Sequence, residues 1–216
     1  MWYRFMLLGA LLTVHCAARA EGHAVAAKAG LLGLGAEYAY ALNERIGLRA
    51  GFNGSDFGFD GEESGISYDF DLIWDSLSLG VDFHPRSGPF RVSAGVLSND
   101  NGMRATSRIS GNTVVGGTTY TPAEVGTLRA GVFFKSTAPY VGIGWDWSRS
   151  KRRFGVSFDM GLLSQGSPRV ALSADGSLIS DAAFLADLED ERIELESGLD
   201  SLDLVPYGTL GLVFKF

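Results

Sequence analysis

The sequence predicts an all-β protein: an antiparallel transmembrane β-barrel of about eight strands, with a short acidic helix in its last long loop. Three observations carry that prediction. Short segments alternate apolar with small residues along most of the chain, and an export leader precedes them. No later stretch approaches the ~18 uninterrupted apolar residues of a spanning helix.

The leader comes first. Arg4 precedes the apolar run 5–14, and Ala18-Arg19-Ala20 follows as a small-x-small cleavage site. This is the pattern of a secretory signal peptide over 1–20, leaving 21–216 as one barrel domain. Cleavage there removes the only cysteine, Cys16, and shifts the formal charge from −7 to −9 by taking away Arg4 and Arg19. Exported without disulfides, the chain needs another source of stability. Its acidic balance argues against nucleic acid as a partner. A soluble periplasmic β-protein and an outer-membrane barrel remain.

The strands decide between them. Leu32, Leu34, Ala36, Tyr38, Tyr40 and Leu42 alternate with Gly33, Gly35, Glu37, Ala39 and Ala41. After the turn 43–45, Ile46, Leu48, Ala50 and Phe52 alternate with Gly47, Arg49, Gly51 and Asn53. Leu77, Leu79, Val81 and Phe83 oppose Ser76, Ser78, Gly80 and Asp82. Beyond the turn 84–89, Phe90, Val92, Ala94 and Val96 oppose Arg91, Ser93 and Gly95. Val141, Ile143, Trp145 and Trp147 oppose Gly142, Gly144 and Asp146. Phe154, Val156, Phe158, Met160 and Leu162 oppose Gly155, Ser157, Asp159 and Gly161. Finally, Leu210, Leu212, Phe214 and Phe216 oppose Thr209, Gly211, Val213 and Lys215.

A soluble sandwich would carry long charged residues on its second face. Here that face is mainly Gly, Ser and Ala, which suits the narrow lumen of a small barrel. The apolar face then meets lipid, and closure of the sheet satisfies the backbone within the bilayer. Aromatics recur at turn edges (Phe83 with Phe90, Trp147 with Phe154, and Phe216), as a girdle at the membrane boundary requires.

The stretch Thr209-x-Gly211-x-x-Phe214-x-Phe216 resembles the C-terminal assembly signal of bacterial outer-membrane proteins. That resemblance implies recognition by the barrel-assembly machinery and periplasmic chaperones, with Phe216 at the periplasmic rim. The remaining strands resemble small OmpA-like, OmpX-like and opacity-type barrels. These imply a monomer in contact with outer-membrane lipid and lipopolysaccharide.

The clear strands are 31–42, 46–58, 66–83, 89–98, 139–147, 154–163 and 206–216, which is seven, and such barrels have an even number. One repair adds a strand in 21–30, or within 103–134 where Leu128, Ala130, Val132 and Phe134 alternate. Another flips the first half, placing 43–45 and 84–89 outside and 99–125 in the periplasm. Eight is the expected count.

Inward charges are few: Glu37, Arg49, Asp82, Arg91, Asp146, Asp159 and Lys215. Around the turn 84–89, Asp82 is expected to face Arg91 and Phe83 to face Phe90. Paired, these charges would plug the lumen; as a constriction they would select solutes. Ser98-Asn99-Asp100-Asn101-Gly102 reads as an Asx-type turn, because no glutamate follows at calcium-loop spacing. In 180–203, Leu185, Leu188, Leu195, Leu199 and Leu202 recur at helical spacing, with Ser180 as a cap. Nine acids there face one base, Arg192. The segment reads as a solvated helix on the barrel mouth, with cation bridging to lipopolysaccharide as the alternative.

His23, at the start of the mature chain, and His84, in a turn beside Pro85, read as exposed and match no lipid-enzyme motif. No catalytic residue, cofactor or metal site is expected. The leading reading is a non-enzymatic barrel of structural or surface-interaction type. A narrow porin-like channel comes second, and a lipid-modifying enzyme third.

Overall fold

A computed structural model describes residues 22–63, 66–147 and 153–216. The signal peptide read over 1–20 lies outside them. In chain order the strands begin with β1 (His23–Gly30), β2 (Gly33–Ala41), β3 (Ile46–Glu63), β4 (Ile66–Phe83) and β5 (Phe90–Asn99). There follow β6 (Gly102–Ile109), the small hairpin β7 (Thr113–Val115) and β8 (Thr118–Tyr120), and the short helix α1 (Pro122–Val125). Then come β9 (Thr127–Phe133), β10 (Thr137–Asp146), β11 (Phe154–Ser164) and β12 (Arg169–Ser173). Helix α2 (Ala182–Gly198) precedes β13 (Leu204–Lys215).

These strands make eight walls. β4 pairs with β5 along 76–83 and with β6 along 66–73, so β5 and β6 are one wall broken at Asp100 and Asn101. β9 continues into β10 and β11 into β12 in the same way. The barrel closes where β1 pairs antiparallel with β13, Ala24 opposite Lys215. Of the two repairs of the strand count, the segment 21–30 supplies the missing wall, as β1. The alternating stretch within 103–134 lengthens two walls instead of adding one.

The flipped topology is overturned. The turns 42–45 and 84–89 share one end of the barrel with the β10–β11 connection and Phe216. The long connection 110–126 leaves from the other end, as does 174–203. The first predicted strand is corrected too. Its opening residues Leu31 and Leu32 form a tight turn between Gly30 and Gly33, where Gly33 has φ 89°, the left-handed region that suits glycine. Leu32 consequently leaves the outward face and packs on lumen residues.

Local chemistry explains the short turns. The Asn43 side-chain oxygen accepts from the backbone N–H of Arg45 and of Ile46, an Asx turn. His84, expected to be exposed, is buried at 4%. Its Nδ1 lies 3.1 Å from the carbonyls of Gly88 and Phe90, tying the turn together. His23, also expected to be exposed, opens β1 half-buried, stacked on Phe216 with Tyr40 tilted against it.

The segment 98–102 is not an isolated Asx turn. It bridges β5 to β6, and the Asn101 side chain accepts from Asp75 N–H at 2.9 Å.

The outward face is apolar across the lower half of the barrel. Leu77, Leu79, Val81, Val92, Val141, Val156, Leu210 and Leu212 all stand exposed there. Higher up the pattern reverses. On β3 and β4 the residues that continue the lumen face are Phe57, Phe59, Phe70, Leu72 and Trp74, while Asp56, Asp60, Asp69, Asp71 and Asp75 continue the outward face. On β4 the apolar side of this upper extension turns inward, with Phe70, Leu72 and Trp74 half-buried, whereas Phe57 and Phe59 at its tip stay exposed at 53% and 49%.

Candidate functional site: the lumen and its roof

Alternation sends every second side chain of each wall into the barrel, and the inward charges converge there. Asp159 on β11 is the hub. Its Oδ1 accepts from Arg91 Nη2 at 2.7 Å and Nε at 3.1 Å, and its Oδ2 accepts from Lys28 Nζ at 2.9 Å. Lys28 also donates to Glu37 at 3.0 Å, and Arg49 Nη1 reaches Glu37 at 3.2 Å. Arg49 Nε stands 2.9 Å from Asp82 without the alignment of a hydrogen bond, so that contact is Coulombic. Ser93 donates its hydroxyl to Asp82 at 2.7 Å. Asp146 lies 3.7 Å from Arg91.

Six of the seven inward charges are thus gathered into one network. Lys215 is placed at the lower rim, opposite Ala24 in register. The expected facing of Asp82 with Arg91 and of Phe83 with Phe90 across the turn 84–89 is corrected by the register. Asp82 is directly opposite Ser93, and Phe83 is opposite Val92. Asp82 reaches Arg91 only at 3.9 Å, each having a nearer partner.

Lys28 was absent from the sequence-derived set. Its signal was available, since Ala24, Ala26 and Lys28 alternate with Val25, Ala27 and Ala29. The alanine-rich context made both faces look alike.

An apolar layer lies next to the charges, formed by Leu97, Ala138, Tyr140, Leu163 and Tyr207, with Leu32 folded onto it. The two tyrosine rings meet edge to face, 5.9 Å between centroids. Glycine makes room for them: a Cβ at Gly80 would overlap the Tyr140 hydroxyl, and one at Gly142 the Tyr207 hydroxyl. Between the layers is a cavity of about 40 Å³, bordered by Lys28, Glu37, Arg49, Tyr140, Tyr207 and Thr209. That is room for a few water molecules. Thr209 Oγ1 is buried with no protein partner, which a water there would satisfy.

The roof is built by the long connections. Phe184 and Leu188 of α2 bury against Val115, Tyr120 and Val125, with Ile109, Leu128 and Leu172 beneath. This corrects the expected leucine stripe: Leu185 and Leu195 are exposed, and the main anchor is Phe184. The cap is Asp181, not Ser180; its carboxylate accepts from the N–H groups of Ala183 and Phe184 at 3.0 Å.

The acids of this segment hold protein donors. Asp187 accepts from the Tyr120 hydroxyl at 2.6 Å, Glu191 from Gly116 N–H at 3.1 Å, and Glu196 from Val170 N–H at 3.0 Å. The last contact occupies a backbone donor on β12, the terminal strand of the sheet above the barrel. The Tyr120 hydroxyl holds the Asp187 carboxyl below its usual range, and the same bond pushes Tyr120 up to about 12. Among the described residues no three of His, Cys, Asp and Glu converge to hold a metal ion.

At the lower rim Phe214 and Phe216 sit beside Phe154 and His23, while Thr209 and Gly211 face inward and are buried. Thr209, Gly211 and Phe214 therefore lie on β13 and Phe216 directly follows it, aromatic pair outward and small pair inward.

No protein-family model and no curated protein matches the chain. Two solved structures share its fold. Acinetobacter baumannii CarO2 superposes with a TM-score of 0.63 at 22% identity, covering 90% of this chain and 98% of that one. Acinetobacter baumannii CarO gives 0.60 at 22% identity with the same coverage. Ail, the attachment invasion locus protein of Yersinia pestis, is matched at 0.33 and 13% identity over 89% of this chain and 92% of Ail. The closed, antiparallel, eight-walled barrel is the fold the chain shares with the two CarO structures.

Proposed function

We propose that the protein is a non-enzymatic barrel of the outer membrane, structural or surface-interacting in role, whose lumen is closed to solutes. The observation that carries this reading is the pair of stacked lumen layers. Lys28, Arg49 and Arg91 balance Glu37, Asp82 and Asp159, and the Tyr140–Tyr207 layer lies beside them over glycine. A barrel of about eight walls is only wide enough to be filled by side chains. The apolar belt supports placement in lipid, and the roof supports an exposed, protein-like surface beyond it. On this reading the short turns face the periplasm, the roof faces lipopolysaccharide, and Thr209, Gly211, Phe214 and Phe216 present the strand to the assembly machinery.

The test is single-channel conductance after refolding into planar bilayers. A closed lumen gives no steady openings at any voltage the bilayer tolerates. Regular openings would establish the narrow-channel reading in its place, with the 40 Å³ cavity as its water-filled segment.

A further inference from the structure

The end of the barrel with the short turns carries exposed arginines that form no ion pair among the described residues. Arg45 directly precedes Ile46, Arg86 lies three residues beyond Phe83, and Arg153 directly precedes Phe154. All three arginines are exposed, and none forms an ion pair among the described residues. Arg49, Arg91, Arg129 and Arg192, by contrast, each hold a carboxylate within about 3 Å. The turns 42–45 and 84–89 contain a single acid, Glu44, although the chain as a whole is acidic.

Height fixes what these cations meet. Tyr38, Tyr40, Phe83, Phe90, Trp147, Phe154 and Phe216 stand exposed around this rim, and outward aromatics mark the level of the lipid headgroups. The turns are too short to leave that level. Arg45 is moreover held to the neighbouring wall, since His84 N–H donates to its C=O at 2.7 Å. Arg153 is fixed likewise, its carbonyl accepting from Lys215 N–H at 2.8 Å.

A guanidinium offers two parallel donors that match a phosphate, and basic residues at an anionic membrane surface are attracted within a Debye length. We infer that these arginines bind the phosphodiester headgroups of anionic glycerophospholipid in the periplasmic leaflet. The inference rests on the orientation given under Proposed function.

The experiment is native mass spectrometry of the refolded protein from micelles doped equally with phosphatidylglycerol and phosphatidylethanolamine. The wild type should retain phosphatidylglycerol preferentially. Replacing all three arginines (R45Q, R86Q and R153Q together) should cut that preference about fivefold or more. R104Q with R169Q, exposed arginines at the other end of the walls, should leave it unchanged. Should the triple variant not fold, R86Q alone is expected to show a smaller loss in the same direction.

Equal retention of the two lipids by the wild type overturns the inference. So does an undiminished preference in the arginine variants, or an equal loss from the opposite-end pair. A chain with no heat-modifiable form overturns the barrel placement itself, and this inference with it. Conductance bears only on closure of the lumen, so steady openings would leave the lipid result standing.

Discussion

The lower and upper halves of β4 carry opposite patterns on one continuous strand. From 76 to 83, Leu77, Leu79, Val81 and Phe83 point outward, while Ser76, Ser78, Gly80 and Asp82 point inward. From 68 to 75 the inward residues are Tyr68, Phe70, Leu72 and Trp74, and the outward ones include Asp69, Asp71 and Asp75. The pairing with β3 runs through both halves with no change of register. What reverses is the solvent. Lipid outside rewards an apolar exterior, and water outside rewards an apolar interior. On the outer-membrane reading proposed above, the reversal near Asp75 marks where the hydrocarbon ends.

The largest expected effect falls in the lower interior. Asp159→Ala removes the acceptor shared by Lys28, Arg91 and Arg49, leaving Lys28 with Glu37 alone and Arg91 with only Asp146 and Asp82, at 3.7 and 3.9 Å. Breaking such a buried network by one member costs about 3–5 kcal/mol. Urea unfolding in lipid vesicles would measure it. A loss under about 1 kcal/mol would mean that water already fills the lower lumen, and the contrast between the halves would shrink.

An intermediate effect comes from the two outer faces of β4. Leu79→Arg puts a charge near the middle of the apolar belt and should cost roughly 2–4 kcal/mol. Asp71→Leu, outward in the upper half, should change stability by no more than about 0.5 kcal/mol. Equal costs at the two sites would show that the reversal is no membrane boundary.

The smallest effect is a pH response confined to the roof. Asp187 is held low by the Tyr120 hydroxyl, and Asp175 by the Thr127 N–H. Both folded values lie below the unfolded one near about 3.9. Their contribution is therefore present above that pH and lost as the pH falls through the folded values. The protection factors of the α2 amides, corrected for the intrinsic exchange rate, should fall below about pH 4. Constant α2 protection from pH 6 to pH 3 would count against the Asp187–Tyr120 anchor.

Legibility in the sequence followed the same divide. Membrane walls were readable because lipid contact forces strict alternation, so Glu37, Arg49, Asp82, Arg91, Asp146 and Asp159 could be placed inward from spacing alone. Spacing does not give partners, which depend on which walls meet across the lumen. Asp159 reaches Lys28, 131 residues away, and nothing local announces that. The roof was harder still. Leucines at helical spacing drew attention to Leu185 and Leu195, while burial chose Phe184, because α2 docks on a hairpin and two strand ends from elsewhere in the chain. The break at Asp100 and Asn101 looked like a turn, since its composition is that of one; pairing with β4 on both sides carries the strand through it.

The β1–β13 seam sets a clock. Ala24 and Lys215 are 215 − 24 = 191 residues apart, so the pairing that completes the hydrogen-bond ring has nearly the greatest sequence separation in the chain. Such long-range closure makes folding slow. During synthesis the early walls emerge with apolar exteriors and no partner for β1, and β13 follows only after the long, acidic 174–203 segment. For that interval the chain is an open sheet with an exposed edge, prone to joining another copy. Its survival depends on being held apart from its neighbours until the final strand arrives.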